Sequence, residues 1–225
     1  MNFCALFTVW NFHRHIEQVL LRAKDLFDHV IVLDTGSTDG SIEILQRLNR
    51  LDLIELYGYK QDRGAGRDSN FLLNKLEQYQ PKWVVKLDHD EYFEDSLADE
   101  LPIILSLPEE YGWIKARRVT LWRTSNSYRI DGQYGRFYEH PMFRYQPGLS
   151  YPQDAIHHME RVPDALFNQS CHTLKSRLIH LSQVDEERVL LQVQRLKEFD
   201  KDWSHDLLAA DVRLRVFEEN LRSKQ

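Results

Sequence analysis

Four short apolar runs, each followed by polar residues and separated by stretches of helical spacing, constrain this chain more than any other feature. The runs are Phe3–Val9, Val30–Leu33, Leu53–Tyr57 and Trp83–Leu87. Each is too short for a buried helix, and several are rich in β-branched residues, so they read as strands. Between them, Ile16, Val19, Leu20, Ala23, Leu26 and Phe27 recur at helical spacing, as do Ile42, Leu45 and Leu48, and then Phe71, Leu72, Leu76 and Tyr79. Strands alternating with helices predict an α/β fold, a mainly parallel sheet flanked by helices on both faces.

The pattern changes near Trp113. Trp113–Trp122 alternates as a strand would, and the following stretch to His158 is rich in aromatic residues, His, Gly and Pro. Irregular backbone of that length inside a domain usually serves a site. Val184, Val189, Leu190, Val193, Leu196 and Phe199 then form one apolar stripe, and Leu207, Leu208, Val212, Val216, Phe217 and Leu221 a second. The expected organisation is one domain over residues 1–182, with halves 1–95 and 96–182. A helical tail, 183–225, would pack on it or form a homo-oligomer interface.

Composition excludes some functions. The formal charge is −6, which offers no electrostatic case for binding nucleic acid. No apolar run is long enough to span a bilayer, and the N-terminus lacks a basic region followed by an apolar stretch and a cleavage site. The cytoplasm is therefore the expected compartment, the tail being the segment that could rest on a membrane surface. Cys4 lies in an apolar run and reads as a buried free thiol.

In an open parallel sheet, ligands bind beyond the carboxyl ends of the strands. Val30–Leu33 ends in Asp34-Thr35-Gly36-Ser37-Thr38-Asp39-Gly40, and Trp83–Leu87 ends in Asp88-His89-Asp90-Glu91. The first could be a capped turn, but a cap accounts for Ser37 or Asp39 and not for Asp34 at the strand end. The second could be a solvated acidic turn. Three carboxylates in four residues repel one another, however, and a divalent cation relieves that repulsion. Oxygen ligands of this kind suit Mn²⁺ or Mg²⁺.

Phe3–Asn11, Val30–Gly40, Gly64–Asn70 and Trp83–Glu91, taken in that order, resemble the N-terminal half of glycosyltransferase family 2. The resemblance implies a GT-A fold, Rossmann-like with a mixed sheet, and transfer of a sugar from a nucleotide-sugar donor with inversion at the anomeric carbon. It implies that Thr8 and Asn11 border the base and that Asp34 and Thr35 lie against base and ribose. Many members carry two adjacent acids where this chain has Asp34-Thr35. Arg67 matches an arginine that contacts the nucleotide, though Asp68 stands where many relatives have Asn. Asp88 would approach the ribose or the water shell of the metal, and Asp90 would bind the metal. His180, after the apolar Leu178-Ile179, would complete the metal site.

The resemblance places the general base between Asp154 and His158, with Asp154, His157 and His158 as the candidates and His158 where the family has an acid. A UDP-sugar is the favoured donor, and the acceptor hydroxyl would belong to a glycan, a lipid-linked sugar or a protein. Trp113, Trp122, Tyr128 and Tyr134 would be a sugar-stacking platform or ordinary core.

Other functions fit less well. A haloacid-dehalogenase-type phosphatase needs a second Asp where Gly36 stands. A nucleotidyltransferase shares much of the topology, but its Gly-rich phosphate loop is missing after the first strand. A nucleotide- or sugar-binding module on a degenerate transferase fold is the non-enzymatic alternative.

Overall fold

The computed structural model describes residues 1–59, 64–155, 161–184, 189 and 213–217. The first half is built as expected. Strands β1 (Phe3–Val9), β2 (His29–Asp34), β3 (Glu55–Gly58) and β4 (Trp83–Asp88) run parallel in the order β3-β2-β1-β4. Helices α1 (Ile16–Leu26), α2 (Ser41–Arg50) and α3 (Ala65–Leu76) form the crossovers. Side chains alternate across a strand. Phe3, Ala5, Phe7 and Val9 accordingly pack with Ile16, Val19 and Leu20 of α1 and Leu45 and Leu48 of α2. Cys4 and Leu6 face the other way, with Leu72, Leu73 and Leu76 of α3. Burial pushes the Cys4 thiol well up, as expected of an inert core cysteine.

Beyond β4 the sheet becomes mixed. The remaining strands are β5 (Glu91–Phe93), β6 (Tyr111–Thr120), β7 (Ser127–Arg129), β8 (Tyr138–Arg144), β9 (Ser170–Thr173) and β10 (Leu178–His180), and α4 (Leu97–Leu105) follows β5. The order continues β4-β8-β6-β10-β5, with β8 antiparallel to both neighbours, β10 parallel to β6 and antiparallel to β5, and β9 pairing with β6. The expected GT-A architecture is thus present.

Two features depart from the sequence reading, and a third decides between alternatives it left open. β5 and α4 carry no clear sequence signal, because Glu91-Tyr92-Phe93 is short and opens on an acid, and Pro102 interrupts the helical stretch. Within the second expected tail helix, Leu214–Val216 is instead a strand, β11, antiparallel to β7. Leu214 and Val216 are two positions apart, a spacing that also suits a strand. Of the tail, only residues 183, 184, 189 and 213–217 are among the described residues. The aromatic residues are core and not a platform: Trp122, Tyr128 and Tyr134 are buried, and the Arg129 guanidinium lies over the Trp122 and Tyr134 rings at 4.6 and 4.0 Å. Trp113 is tied down through its ring N–H, which donates to the Gln169 carbonyl at 3.1 Å.

Among the described residues, no helix is long and apolar enough to cross a membrane.

Candidate active site

Strand register brings the polar strand ends together. Thr8 stands beside Asp88, and Val9 beside Asp34. The turn after β2 is stitched to the end of β1. The Asp34 carboxylate accepts the Gly36 and Ser37 N–H groups at 3.1 and 3.2 Å. Thr35 Oγ1 donates to the Val9 carbonyl at 3.2 Å. Asn11 adopts a left-handed backbone, φ 50°, which Asn tolerates better than most residues. There its N–H donates to Ser37 Oγ at 3.0 Å and its Oδ1 accepts the Thr38 N–H at 2.7 Å. Asp34 therefore has a structural task that capping by Ser37 or Asp39 alone does not cover.

The acid motif has three differently placed carboxylates. Asp88 ends β4 with its side chain 62% exposed. Asp90 and Glu91 are buried. His89 Nδ1 lies 3.2 Å from the Thr8 carbonyl, and its ring meets Phe12 edge-on. His89 thus fastens the motif to β1.

Asp90 meets His180. β10 is set beside β5 by Glu94, whose backbone N–H donates to the Arg177 carbonyl at 3.2 Å and whose buried carboxylate takes the Arg177 N–H and guanidinium. Leu181 N–H donates to the Asp90 carbonyl at 2.8 Å. His180 Nε2 and Asp90 Oδ2 then stand 3.6 Å apart. That is long for a hydrogen bond and near the spacing of two ligands of one ion whose bonds run about 2.0–2.2 Å. On its other side, His180 Nδ1 lies 3.3 Å from Thr120 Oγ1 and 3.2 Å from Ser182 Oγ. Such outer contacts orient a ligand imidazole. Burial pushes the His180 imidazolium down to about 3, against the pull of Asp90. The ring is therefore neutral and able to coordinate at neutral pH.

Among the described residues no three His, Cys, Asp or Glu side chains form a metal cage. A pair suits Mg²⁺ or Mn²⁺ held jointly with substrate phosphates and water, not an ion held by protein alone.

Arg161 is a site residue that the sequence reading missed. Its buried guanidinium reaches Asp88 Oδ2 at 2.8 Å, both Glu91 oxygens, and Glu139 Oε2 at 3.5 Å. Glu139, on β8, is held in turn by Arg118 at 2.7 Å. Arg161 relieves the repulsion within the motif, leaving Asp90 to face His180. The surrounding protein strips part of the water from Asp88 and would push its carboxyl up, but Arg161, with His89 and Lys86, outweighs this and leaves it below its ordinary value. Burial pushes the Glu91 carboxyl up, against the pull of Arg161. Burial also pushes Lys86 down to about 8. A lone arginine in a loop has no periodicity to mark it. The only sequence signal was an excess of acids that needed a counter-charge.

The remaining expected residues are less tightly gathered. Arg67 is exposed in the first turn of α3, and Asp68 beside it is buried. Asp154 is exposed in the loop after Tyr151. His157 and His158 lie outside the described residues.

No family model matches the chain. It is 31% identical over 90 residues to the lipopolysaccharide core biosynthesis glycosyltransferase LpsC of Rhizobium meliloti (strain 1021). That match covers 40% of this chain and 32% of LpsC, so the likeness spans about a third of the relative's length. Solved structures align over far more of the chain. S. aureus TarS aligns over 93% of this chain and 42% of its own, with a TM-score of 0.60 and 15% identity. TarS 1-349 has also been solved with UDP, where the TM-score is 0.55. The mannosyltransferase PcManGT from Pyrobaculum calidifontis, in complex with GDP-Man and Mn²⁺, aligns over 94% of this chain and 66% of its own, with a TM-score of 0.57 and 16% identity. At these identities the likeness shows a common fold, of the mixed α/β GT-A kind, across nearly the whole chain.

Proposed function

We propose that the chain is a metal-assisted glycosyltransferase that moves a sugar from a nucleoside-diphosphate sugar to an acceptor hydroxyl with inversion. The observation that carries this reading is the Asp90–His180 pair, set next to Asp88 at the carboxyl ends of parallel strands. Support comes from the partial match to LpsC and from a shared fold with PcManGT, solved with GDP-Man and Mn²⁺.

Asp34 and Thr35 would border the base and ribose, with Thr8 and Asn11 shaping the wall beside them. Arg67 would contact the nucleotide, and Asp88 would face the ribose. Asp90 and His180 would hold Mn²⁺ or Mg²⁺. When bound, the ion would neutralise the charge that grows on the diphosphate as it leaves. The acceptor oxygen bonds to the anomeric carbon as the bond to the diphosphate breaks. Its proton passes to a base on the opposite face, supplied by Asp154, His157 or His158. A UDP-sugar is the favoured donor.

The test is incubation with a panel of UDP-, GDP- and dTDP-sugars and Mn²⁺, with assay of released nucleoside diphosphate, alongside thermal shift with UDP, GDP and dTDP. Metal-dependent stabilisation by one nucleotide, absent in Asp90→Ala, is expected. No stabilisation by any of them would count against the reading.

A further inference from the structure

The helix that carries Arg67 and the segment that carries Asp154 are fastened together. Gly66 N–H donates to the Ala155 carbonyl at 2.9 Å. One turn along α3, Asn70 grips the backbone of Tyr151 with both ends of its amide. Its Nδ2 donates to the Tyr151 carbonyl at 2.9 Å, and its Oδ1 accepts the Tyr151 N–H at 2.8 Å. The approach is so close that glycine is required at position 66, where a Cβ would stand 1.9 Å from the Pro152 carbonyl oxygen. The Tyr151 side chain reaches the other way. Its buried ring lies 4.6 Å from Lys86 Nζ, and its hydroxyl donates to the Arg161 carbonyl. Tyr151 is thus held by its backbone from α3 and by its side chain from the arginine of the acid cluster.

We propose that Asn70 is a positioning residue that passes occupancy of the donor site to the segment 151–155. This rests on the donor-site reading above. A nucleotide held by Arg67 restrains the first turn of α3. That turn shares the Gly66 N–H with Ala155, and the next turn shares the whole Asn70 amide with Tyr151. Ordering α3 therefore orders the segment bearing Asp154, and the acceptor side becomes defined when donor is present. Asn70→Ala removes two of these bonds without touching Arg67, Asp88 or Asp90.

The experiment is backbone hydrogen exchange, read by mass spectrometry, with and without UDP or GDP plus Mn²⁺. In the wild type the nucleotide is expected to slow exchange about tenfold in peptides covering both 64–70 and 151–155. In Asn70→Ala, nucleotide affinity stays within about threefold and the slowing persists in α3 but is largely lost from 151–155, where only the Gly66 bond to Ala155 remains. Asn70→Asp, which keeps the acceptor and loses the donor, falls between and serves if the alanine variant does not fold. Equal slowing of 151–155 in Asn70→Ala overturns the proposal. So does slowing confined to α3 in the wild type. If no nucleotide slows exchange in α3 itself, the donor-site reading fails, and the coupling with it.

Discussion

His180 Nε2 faces Asp90 Oδ2 across 3.6 Å, joining the strand end of one half of the chain to the acid motif of the other, with the imidazole held neutral by burial. If the two share an ion, removing either should diminish metal-linked behaviour while leaving the fold intact. Asp90→Asn is expected to lose the extra thermal stabilisation that Mn²⁺ gives with UDP or GDP, and to lower nucleotide-sugar turnover by about a hundredfold or more. His180→Gln should weaken the same metal response. An undiminished Mn²⁺ response in Asp90→Asn would remove Asp90 from the site.

Arg161 predicts a stability effect separate from activity. Arg161→Met leaves the buried Glu91 without its main counter-charge. Truncating one partner of a buried ion pair typically costs about 3–5 kcal/mol. Urea unfolding should show a loss of that order, and Glu91→Gln in the same chain should restore much of it. Arg161→Lys should rescue poorly, because an ammonium cannot bridge Asp88, Glu91 and Glu139 at once. If Arg161→Met unfolds at the wild-type urea concentration, the network does not hold the motif together.

Asn11 offers a test of whether the end of β1 is shaped by its turn. Asn11→Ala gives up the bond to Thr38 and puts an ordinary side chain at φ 50°. A loss of about 1–2 kcal/mol is expected. Asn11→Gly should recover the part due to backbone strain and not the part due to the hydrogen bond. An alanine variant as stable as the wild type would show that the Asn11–Thr38 bond contributes nothing net.

The same turn predicts a pH dependence. Burial pushes the Asp39 carboxyl up, but it accepts bonds from the Ser41 hydroxyl and N–H and from the His13 N–H and ring, and ends lowered from 3.8 to about 2. A carboxyl with a depressed folded value stabilises the fold above its unfolded value, and that contribution is lost as pH falls through the folded one. The stabilisation should be complete above about pH 5 and be lost progressively towards about pH 1. Melting temperatures of the wild type and the Asp39→Asn variant should differ most near neutral pH and converge on acidification. A constant gap across that range would show that Asp39 does not titrate with folding.

The first half of the domain was legible because its signals are local. Phe3–Val9, Val30–Leu33 and Trp83–Leu87 are predominantly apolar runs, and each lies within β1, β2 or β4. α3 begins well before its apolar stripe, because Ala65-Gly66-Arg67 has helical backbone but no hydrophobic period. The second half depends on tertiary pairing that no window of sequence contains. β5 exists because β10 lies beside it, and β11 because β7 does. At the site, Asp88 and Asp90 stand out as acids after a strand. His180 came from resemblance, and Arg161 from neither, since a counter-charge delivered by a loop leaves no spacing to read.

The pairing of β10 with β5 also bears on biosynthesis. The floor of the site, with Asp34, Asp88 and Asp90, is carried by strands complete by the end of β4 and the turn after it. The Asp90–His180 pair closes only when residues synthesised much later dock antiparallel to Glu91–Phe93. Contacts this distant along a chain form late in folding. A chain still emerging from the ribosome therefore displays the carboxylates before it has the imidazole, and the Asp90–His180 pair forms only once the second half has been made.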